Sequence, residues 1–260
     1  FDAVMNYRWY LPSRSFFAGA PPGLSASGYA AYLDGLATGF SPSHQRAMMN
    51  LTASHDTPRF GTSILNPGLF KYQANPREDP DYRVYRPDER TREIQELILV
   101  QQFTYIGAPH IWNGDEVGMW GADDPDERKP LVWADLRYED ETAHPFGRSR
   151  SRNAVAPDLG LRRTYQELIA LRKDHLRLFV DGSLRWLVTD DASRVVAYDR
   201  VLGNQRAIVA FNASDSPQEF SVAAEGRFRV AYPRVEAGAV TGGVLKALLP
   251  PRSARVWIRD

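Results

Sequence analysis

Cysteine is absent from this 260-residue chain, which excludes disulfide bonds and cysteine-ligated zinc sites. A charge excess of either sign is also absent, because 32 Lys and Arg side chains balance 32 Asp and Glu side chains. Proteins that bind polyanions usually carry a basic excess or a basic face, so we expect no nucleic-acid partner. The apolar runs are far too short to cross a bilayer, so we also expect no membrane partner.

Several catalytic and cofactor motifs are missing as well. The chain contains no P-loop, no G-x-G-x-x-G fingerprint and no G-x-S-x-G elbow, and its 5 histidines show no H-E-x-x-H spacing. The acidic segment 113–133 lacks the glycine that an EF-hand requires at its sixth position, and Pro125 interrupts it. We therefore predict no cofactor and no metal, with a looser metal site in this segment as the alternative.

The first 181 residues alternate between strand-like and helix-like patterns. Short apolar runs lie at residues 1–7, around 47–53 and around 109–112, and the stretches 92–105 and 161–179 have helical periodicity. In the first of these helices the pattern places Glu93, Gln95 and Glu96 on the outer face. Strand and helix in alternation are typical of a parallel α/β sheet or barrel.

Beyond Asp181 the pattern changes to short β-like runs separated by Gly, Asn, Asp, Ser and Pro. The runs are LRWLVTD (184–190), RVVAYDRV (194–201), QRAIVAFNAS (205–214), QEFSV (218–222), RFRVAYP (227–233) and ARVWIRD (254–260). Such runs are typical of an antiparallel β-sandwich. The predicted fold class is therefore α/β plus all-β, with one domain at 1–181 and a second at 182–260.

His55 and Asp56 follow the second strand-like run directly, in the stretch NLTASHDTPRF. In a parallel sheet, ligands meet residues at the carboxyl ends of the strands, where a carboxylate can accept hydrogen bonds from sugar hydroxyls. The alternative is ordinary turn chemistry, in which Asp56 caps the next turn and His55 packs.

The acidic segment 113–133 would follow the third strand-like run in the same way. It combines carboxylates and Arg128 with tryptophans, and this mixture suits a carbohydrate, because rings stack on sugar faces while polar groups bind hydroxyls. The long polar segment 66–90 is predicted to be a surface excursion beside this site, with simple disorder as the alternative.

Together these stretches resemble the α-amylase family of glycoside hydrolases (family 13), and within it the neopullulanases and cyclomaltodextrinases. FDAVMNY (1–7) is similar to the sixth barrel strand of such enzymes, and NLTASHDTPRF (50–60) to the segment after the seventh strand. GAPHIWNGDEVGMWGADDPDERKPLVW (107–133) is similar to the eighth strand and its loop, and LLPPRSARVW (248–257) to the end of the C-terminal β-domain.

The resemblance implies the C-terminal half of a (β/α)8 TIM barrel followed by an antiparallel β-sandwich. It implies a retaining hydrolase acting on α-glucosidic bonds of maltooligosaccharides, cyclodextrins or pullulan. In this family the aspartate of the His-Asp pair stabilises the transition state, and the match here is Asp56, with His55 as its partner. Asp124 and Arg128 match residues that hold a sugar further along the non-reducing side.

The same resemblance places the family's nucleophile and acid ahead of residue 1, and no segment of the chain matches their motifs. We therefore expect a fragment that is inactive alone and that pairs with a missing N-terminal segment or with another chain. The alternative is a non-catalytic carbohydrate-binding relative of the same fold.

Overall fold

The computed structural model describes residues 3–144, 146–234, 239–240 and 242–260. Helices and two short strands form the part of the chain up to Asp181. They are α1 (Tyr7–Phe17), α2 (Ala26–Thr38), α3 (Pro42–Ala47), β1 (Met49–Leu51), α4 (Phe60–Leu65), α5 (Glu89–Thr104), β2 (Ala108–His110), α6 (Leu159–Asp174) and α7 (Leu176–Asp181). No described helix is both long and apolar enough to cross a bilayer.

Strands β1 and β2 pair in parallel, with Met49 opposite Ala108, and Met5 forms a parallel bridge to Met49 on the other side of β1. The strand predicted at residues 1–7 is therefore reduced to this bridge, and residues 1–2 lie outside the described part. Helix α1 begins at Tyr7 because the side chain of Asn6 caps it, accepting a hydrogen bond from the backbone N–H of Trp9. Each of the three parallel segments is thus followed along the chain by helix.

Helix α5 corrects the prediction for Gln95. This side chain is 1% exposed, although the sequence pattern placed it on the outer face. The helix packs against α1, α4 and α6 and also against the C-terminal sheet, so it buries more than one stripe. The buried amide of Gln95 is satisfied there, because its Oε1 accepts a hydrogen bond from Arg92 Nη1 at 2.7 Å.

Antiparallel strands follow Asp181, as predicted. They are β3 (Ser183–Asp190), β4 (Val195–Leu202), β5 (Gln205–Asn212), β6 (Gln218–Ala224), β7 (Phe228–Tyr232), β8 (Ala239–Val240), β9 (Gly243–Leu249) and β10 (Ser253–Arg259). Six of them form one sheet in the order β3-β4-β5-β10-β7-β8, and β6 pairs with β9. The sequence patterns did not identify β8 and β9.

Strand β4 shows how the large sheet is covered on both faces. Val196 and Tyr198 pack in the core cluster that contains the helices, whereas Val195 and Ala197 pack in the cluster that contains β6 and β9. Successive side chains of a strand point to opposite faces, so this alternation places the large sheet between the helices and the small sheet. A strand buried on both faces explains the continuous apolar run in this part of the sequence.

Arg200 joins the sheet to the helical part. Its buried guanidinium donates to three backbone carbonyl oxygens, those of Thr104 at 2.6 Å and of Phe179 and Gly182 at 2.9 Å each. Helix changes to strand at the predicted position, since α7 ends at Asp181 and β3 begins at Ser183. The division into domains at this position stays a prediction.

Candidate active site

A tight turn after β1 presents His55 and Asp56. The backbone N–H of Ser54 donates to Thr57 Oγ1 at 3.0 Å, and the N–H of Asp56 donates to Ser54 Oγ at 3.1 Å. The hydroxyls of Ser54 and Thr57 hold the turn, so the segment forms the expected turn and also exposes side chains that can contact a ligand. The side chains of His55 and Asp56 stay free to project, and they are 49% and 45% exposed.

The carboxylate of Asp56 lies between two cationic or hydrogen-bonding side chains. His55 Nε2 is 3.4 Å from Asp56 Oδ1, and Lys71 Nζ is 3.9 Å from Asp56 Oδ2. The Lys71 ammonium also lies over the rings of Tyr7 and Tyr72, at 5.3 and 5.2 Å from their centroids. Two aromatic faces hold this lysine beside the carboxylate. Sequence reasoning missed Lys71, and its place in the segment 66–90 was the available signal.

Arg128 connects the acidic segment to the His55-Asp56 turn. Its Nε donates to Asp124 Oδ1 at 2.6 Å, and its Nη2 donates to the backbone oxygen of His55 at 2.8 Å. The structure therefore brings all four predicted site residues into one cluster at the carboxyl end of β1. This cluster offers carboxylate acceptors and unused guanidinium donors to a polyhydroxylated ligand.

Glu127 is a buried neighbour of this cluster that the sequence did not single out. Its side chain is 0% exposed, its Oε1 lies 3.0 Å from Arg128 Nε, and its backbone oxygen accepts a hydrogen bond from Arg59 Nε at 2.8 Å. Burial raises the pKa of the Glu127 carboxyl to about 7. A residue between two predicted site residues thus has a carboxyl group whose pKa lies well above its ordinary value.

A buried ion pair supports the loops that follow β1 and β2. Arg59 and Asp115 are 2% and 1% exposed, with Nη1 3.3 Å from Oδ1. Arg59 Nη1 also donates to the backbone oxygen of Asn113 at 2.5 Å, and its guanidinium lies 5.5 Å from the ring centroid of Trp112. Burial raises the pKa of Asp115 to about 7, although Arg59 acts in the opposite direction. The pair fixes the two loops relative to each other.

The segment 66–90 lies against the acidic segment, beside the site, as the surface-excursion interpretation expected. The backbone N–H of Tyr72 donates to Asp123 Oδ2 at 2.5 Å. A small hydrophobic cluster joins the two segments, and it consists of Ala74, Tyr82, Val84 and Ala122. These contacts position Lys71 next to Asp56.

The carboxylates of the site are engaged with arginine and lysine, and they are not gathered around one point. Across the described ranges, no group of three or more His, Cys, Asp or Glu side chains could hold a metal ion. The site is therefore a cluster of ion pairs and aromatic rings that opens toward solvent at His55 and Asp56.

Comparisons with known proteins find relatives that cover most of the chain, although no protein-family model matches it. The chain is 29% identical over 253 residues to a cyclomaltodextrinase of Geobacillus thermopakistaniensis, and the match covers 96% of this chain and 35% of that enzyme. It is 29% identical over 213 residues to neopullulanase 2 of Thermoactinomyces vulgaris, with 82% of this chain and 28% of that enzyme covered. The chain thus spans about a third of the length of these relatives.

A solved structure of a cyclomaltodextrinase superposes on the whole chain. The TM-score is 0.72 at 24% identity, and the match covers 100% of this chain and 37% of that structure. This similarity shows that the two share a fold. The relatives and the shared fold agree with one another, and over most of its length the chain is similar to glycoside hydrolases of the α-amylase family.

Proposed function

We propose that this chain forms the sugar-holding side of the active site of a retaining α-glucan hydrolase. In this proposal residues 1–181 are the C-terminal half of a (β/α)8 barrel and residues 182–260 are a β-sandwich domain. The observation that carries the proposal is the cluster at the carboxyl end of β1, in which Arg128 ties Asp124 to the turn that presents Asp56. Active sites of such barrels lie at this end of the strands.

Asp56 is proposed to accept hydrogen bonds from two hydroxyls of the sugar whose bond is cleaved. Such contacts strengthen as the ring flattens toward an oxocarbenium ion, and they contribute several kcal/mol to the transition state. His55 is the neighbouring hydroxyl donor. Asp124 and Arg128 hold the next sugar on the non-reducing side, where a fixed guanidinium and carboxylate can bind several hydroxyls at once.

The nucleophile and the acid are proposed to come from residues outside these 260. The length of the relatives supports this, since the chain matches only 28–35% of them. A half barrel leaves strand edges and apolar surface uncovered, and Val4 next to the Met5 bridge is 53% exposed. We propose that an N-terminal segment of the parent protein or another chain covers this edge. The proposed substrates are maltooligosaccharides, cyclodextrins or pullulan.

Binding of maltotriose to the 260-residue chain tests the sugar site, with isothermal titration calorimetry as the measurement. We expect Asp56→Asn to weaken binding by roughly tenfold, the effect of one charge-assisted hydrogen bond. Asp135→Asn is the matched control, because Asp135 is an exposed carboxylate later in the loop after β2. Equal affinities for wild type and Asp56→Asn would contradict the assignment of Asp56.

Turnover separates the proposed enzyme part from the alternative, a carbohydrate-binding relative without catalysis. The isolated chain should not hydrolyse maltotriose, cyclodextrins or pullulan, because it lacks the two groups that make and break bonds. Hydrolysis at the rate of a full-length relative would contradict the absence of nucleophile and acid. An Asp and a Glu at strand ends upstream in the parent gene would favour the enzyme over the binding protein.

A further inference from the structure

A buried carboxyl group without a hydrogen-bond partner lies at the edge of the candidate site. The side chain of Glu127 is 0% exposed, and neither of its carboxyl oxygens makes a hydrogen bond with another described residue. Buried polar groups are nearly always hydrogen-bonded in proteins, and an exception in a binding cleft points to a functional role.

The geometry around Arg128 explains why this carboxyl has no donor. Arg128 Nε lies 2.6 Å from Asp124 Oδ1 and 3.0 Å from Glu127 Oε1. The Nε atom of an arginine carries a single hydrogen, and here it is donated to Asp124. Two carboxyl groups therefore face one N–H, and only one of them can accept it in a given arrangement.

We propose that Glu127 is a positioning residue for the Asp124–Arg128 pair, because its buried carboxyl competes with Asp124 for the Nε hydrogen of Arg128. With Glu127 neutral, Arg128 stays with Asp124 in the arrangement described above. With Glu127 ionised, the guanidinium is drawn toward the buried carboxylate and its contact with Asp124 weakens. The inference rests on the proposed function, in which Asp124 and Arg128 hold a sugar.

The change also reaches the turn that carries Asp56. Arg128 Nη2 donates to the backbone oxygen of His55 at 2.8 Å, so a rotation of the guanidinium alters the support of this turn. Glu127 therefore influences two neighbouring parts of the site through one side chain.

The charges that face Glu127 place its ionisation in an accessible pH range. Burial raises the pKa of this carboxyl to about 7, and Asp124 and Asp123 act in the same direction, whereas the backbone N–H of Glu127 itself and Arg128 act in the opposite direction. Arg59, at the start of α4, is the other cation in contact, and it donates to the Glu127 backbone oxygen. Below this pKa the Asp124–Arg128 contact is intact, and above it the contact is weakened.

Maltotriose affinity measured between about pH 5 and about pH 9 tests the inference on the wild-type chain and on Glu127→Gln. Wild type should bind roughly threefold to tenfold more weakly at the upper end, the range for one hydrogen bond lost. Glu127→Gln cannot ionise at this position, so it should lack the part of the pH-dependent weakening that wild type shows. Every other titratable group is common to the two proteins, and the same pH profile in both would overturn the inference.

Nitrogen NMR of Arg128 Nε gives a readout that does not require sugar. The Nε resonance should shift with a midpoint near the Glu127 pKa of about 7 in wild type, and it should stay constant in Glu127→Gln. Asp124→Asn is a second variant, in which the shift should shrink because the competitor is weakened. An Nε resonance that does not titrate in wild type would overturn the inference. A titrating resonance without any maltotriose binding would leave Glu127 as the positioning residue and instead contradict the proposed sugar site.

Discussion

Carboxyl groups of the candidate site lie beside the same donor, since Asp124 and Glu127 both face Arg128 Nε. The effect of one such side chain on the site therefore depends on pH. Asp56, Asp124 and Glu127 all lie near a cation, yet only Glu127 is fully buried. Exposed ion pairs contribute little to stability, because water competes for both partners. A buried carboxyl must either be paired or give up its charge. The pH dependence of this region should therefore originate in the buried Glu127 and Asp115 more than in the exposed aspartates.

Folding stability should fall as pH rises from the ordinary glutamate pKa toward about 7. The carboxyl of Glu127 has its pKa raised from 4.5 to about 7, so over this range the folded state holds a proton that the unfolded state has lost. The folded state binds more protons, and stability therefore decreases with increasing pH and levels off above the folded-state pKa. Glu127→Gln removes this loss and should be about 2 kcal/mol more stable than wild type at alkaline pH, relative to their difference at acidic pH.

Urea unfolding of both proteins at about pH 4 and about pH 8 measures this difference. A difference in unfolding free energy that is the same at both pH values would show that Glu127 ionises equally in the folded and unfolded states.

At the scale of elements, the two loops after β1 and β2 form the site because they are locked to each other. Arg59 donates a backbone hydrogen bond to Gly121 and side-chain bonds to Glu127 and Asn113, so the start of α4 contacts the acidic segment at several points. The strands themselves are short and would not position side chains alone. The precision of the site therefore depends on these contacts between loops.

Gly121 lies where the acidic segment turns back against itself, and a methyl group there has no room. A Cβ at this position would be 2.6 Å from the backbone oxygen of Asp126 and 2.9 Å from Glu127 Cα. We expect Gly121→Ala to destabilise the protein by about 1–3 kcal/mol, the typical effect of overpacking. The same change should weaken maltotriose binding, because it displaces the residues next to Arg128.

Gly35→Ala is the matched control, since Gly35 lies in α2 and nothing surrounds the position within 4 Å. Alanine is the better helix former, so this variant should be more stable than wild type by up to about 1 kcal/mol. Thermal unfolding of the two variants distinguishes the close contact at Gly121 from a general effect of replacing glycine. Similar melting temperatures for the two would contradict the packing argument.

At the scale of the whole molecule, the helical part and the large antiparallel sheet share one hydrophobic core. A single cluster contains residues of α1, α5 and α6 together with alternate residues of β4, β5 and β10. Parts that share a core lose their packing together, so we expect one cooperative unfolding transition. The transition should coincide when it is followed by circular dichroism and by tryptophan fluorescence.

Arg200 lies at this junction, and its loss should destabilise both parts. Arg200→Met would leave three backbone carbonyl oxygens without their donor, which we expect to reduce stability by roughly 3 kcal/mol. Arg185→Met is the control, because Arg185 is 69% exposed and should change stability by less than about 1 kcal/mol. Urea unfolding of both variants measures the difference, and equal midpoints would contradict this role of Arg200.

The sequence itself determined the elements with strong periodicity. Helices α5 and α6 and most of the antiparallel strands were predictable, because burial on one face leaves a repeating apolar pattern. The sequence patterns identified neither the helices α1 to α4 nor the strands β8 and β9. Of these, α3, α4 and β8 are short, and short segments carry weak patterns and depend on their neighbours. The burial of Gln95 could not be predicted either, because tertiary packing determines how many sides of a helix are covered.

The residues of the candidate site were likewise proposed from local sequence, whereas the electrostatics of the site were not. His55, Asp56, Asp124 and Arg128 stood out through their position after strand-like runs and through their resemblance to a family. Only the tertiary structure placed Lys71 beside Asp56 and buried Glu127 behind Arg128. Distances between residues far apart in sequence, and the loss of water around a charge, arise only when the chain folds. These two quantities set hydrogen-bond competition and pKa, and therefore only the fold decides how the site responds to pH.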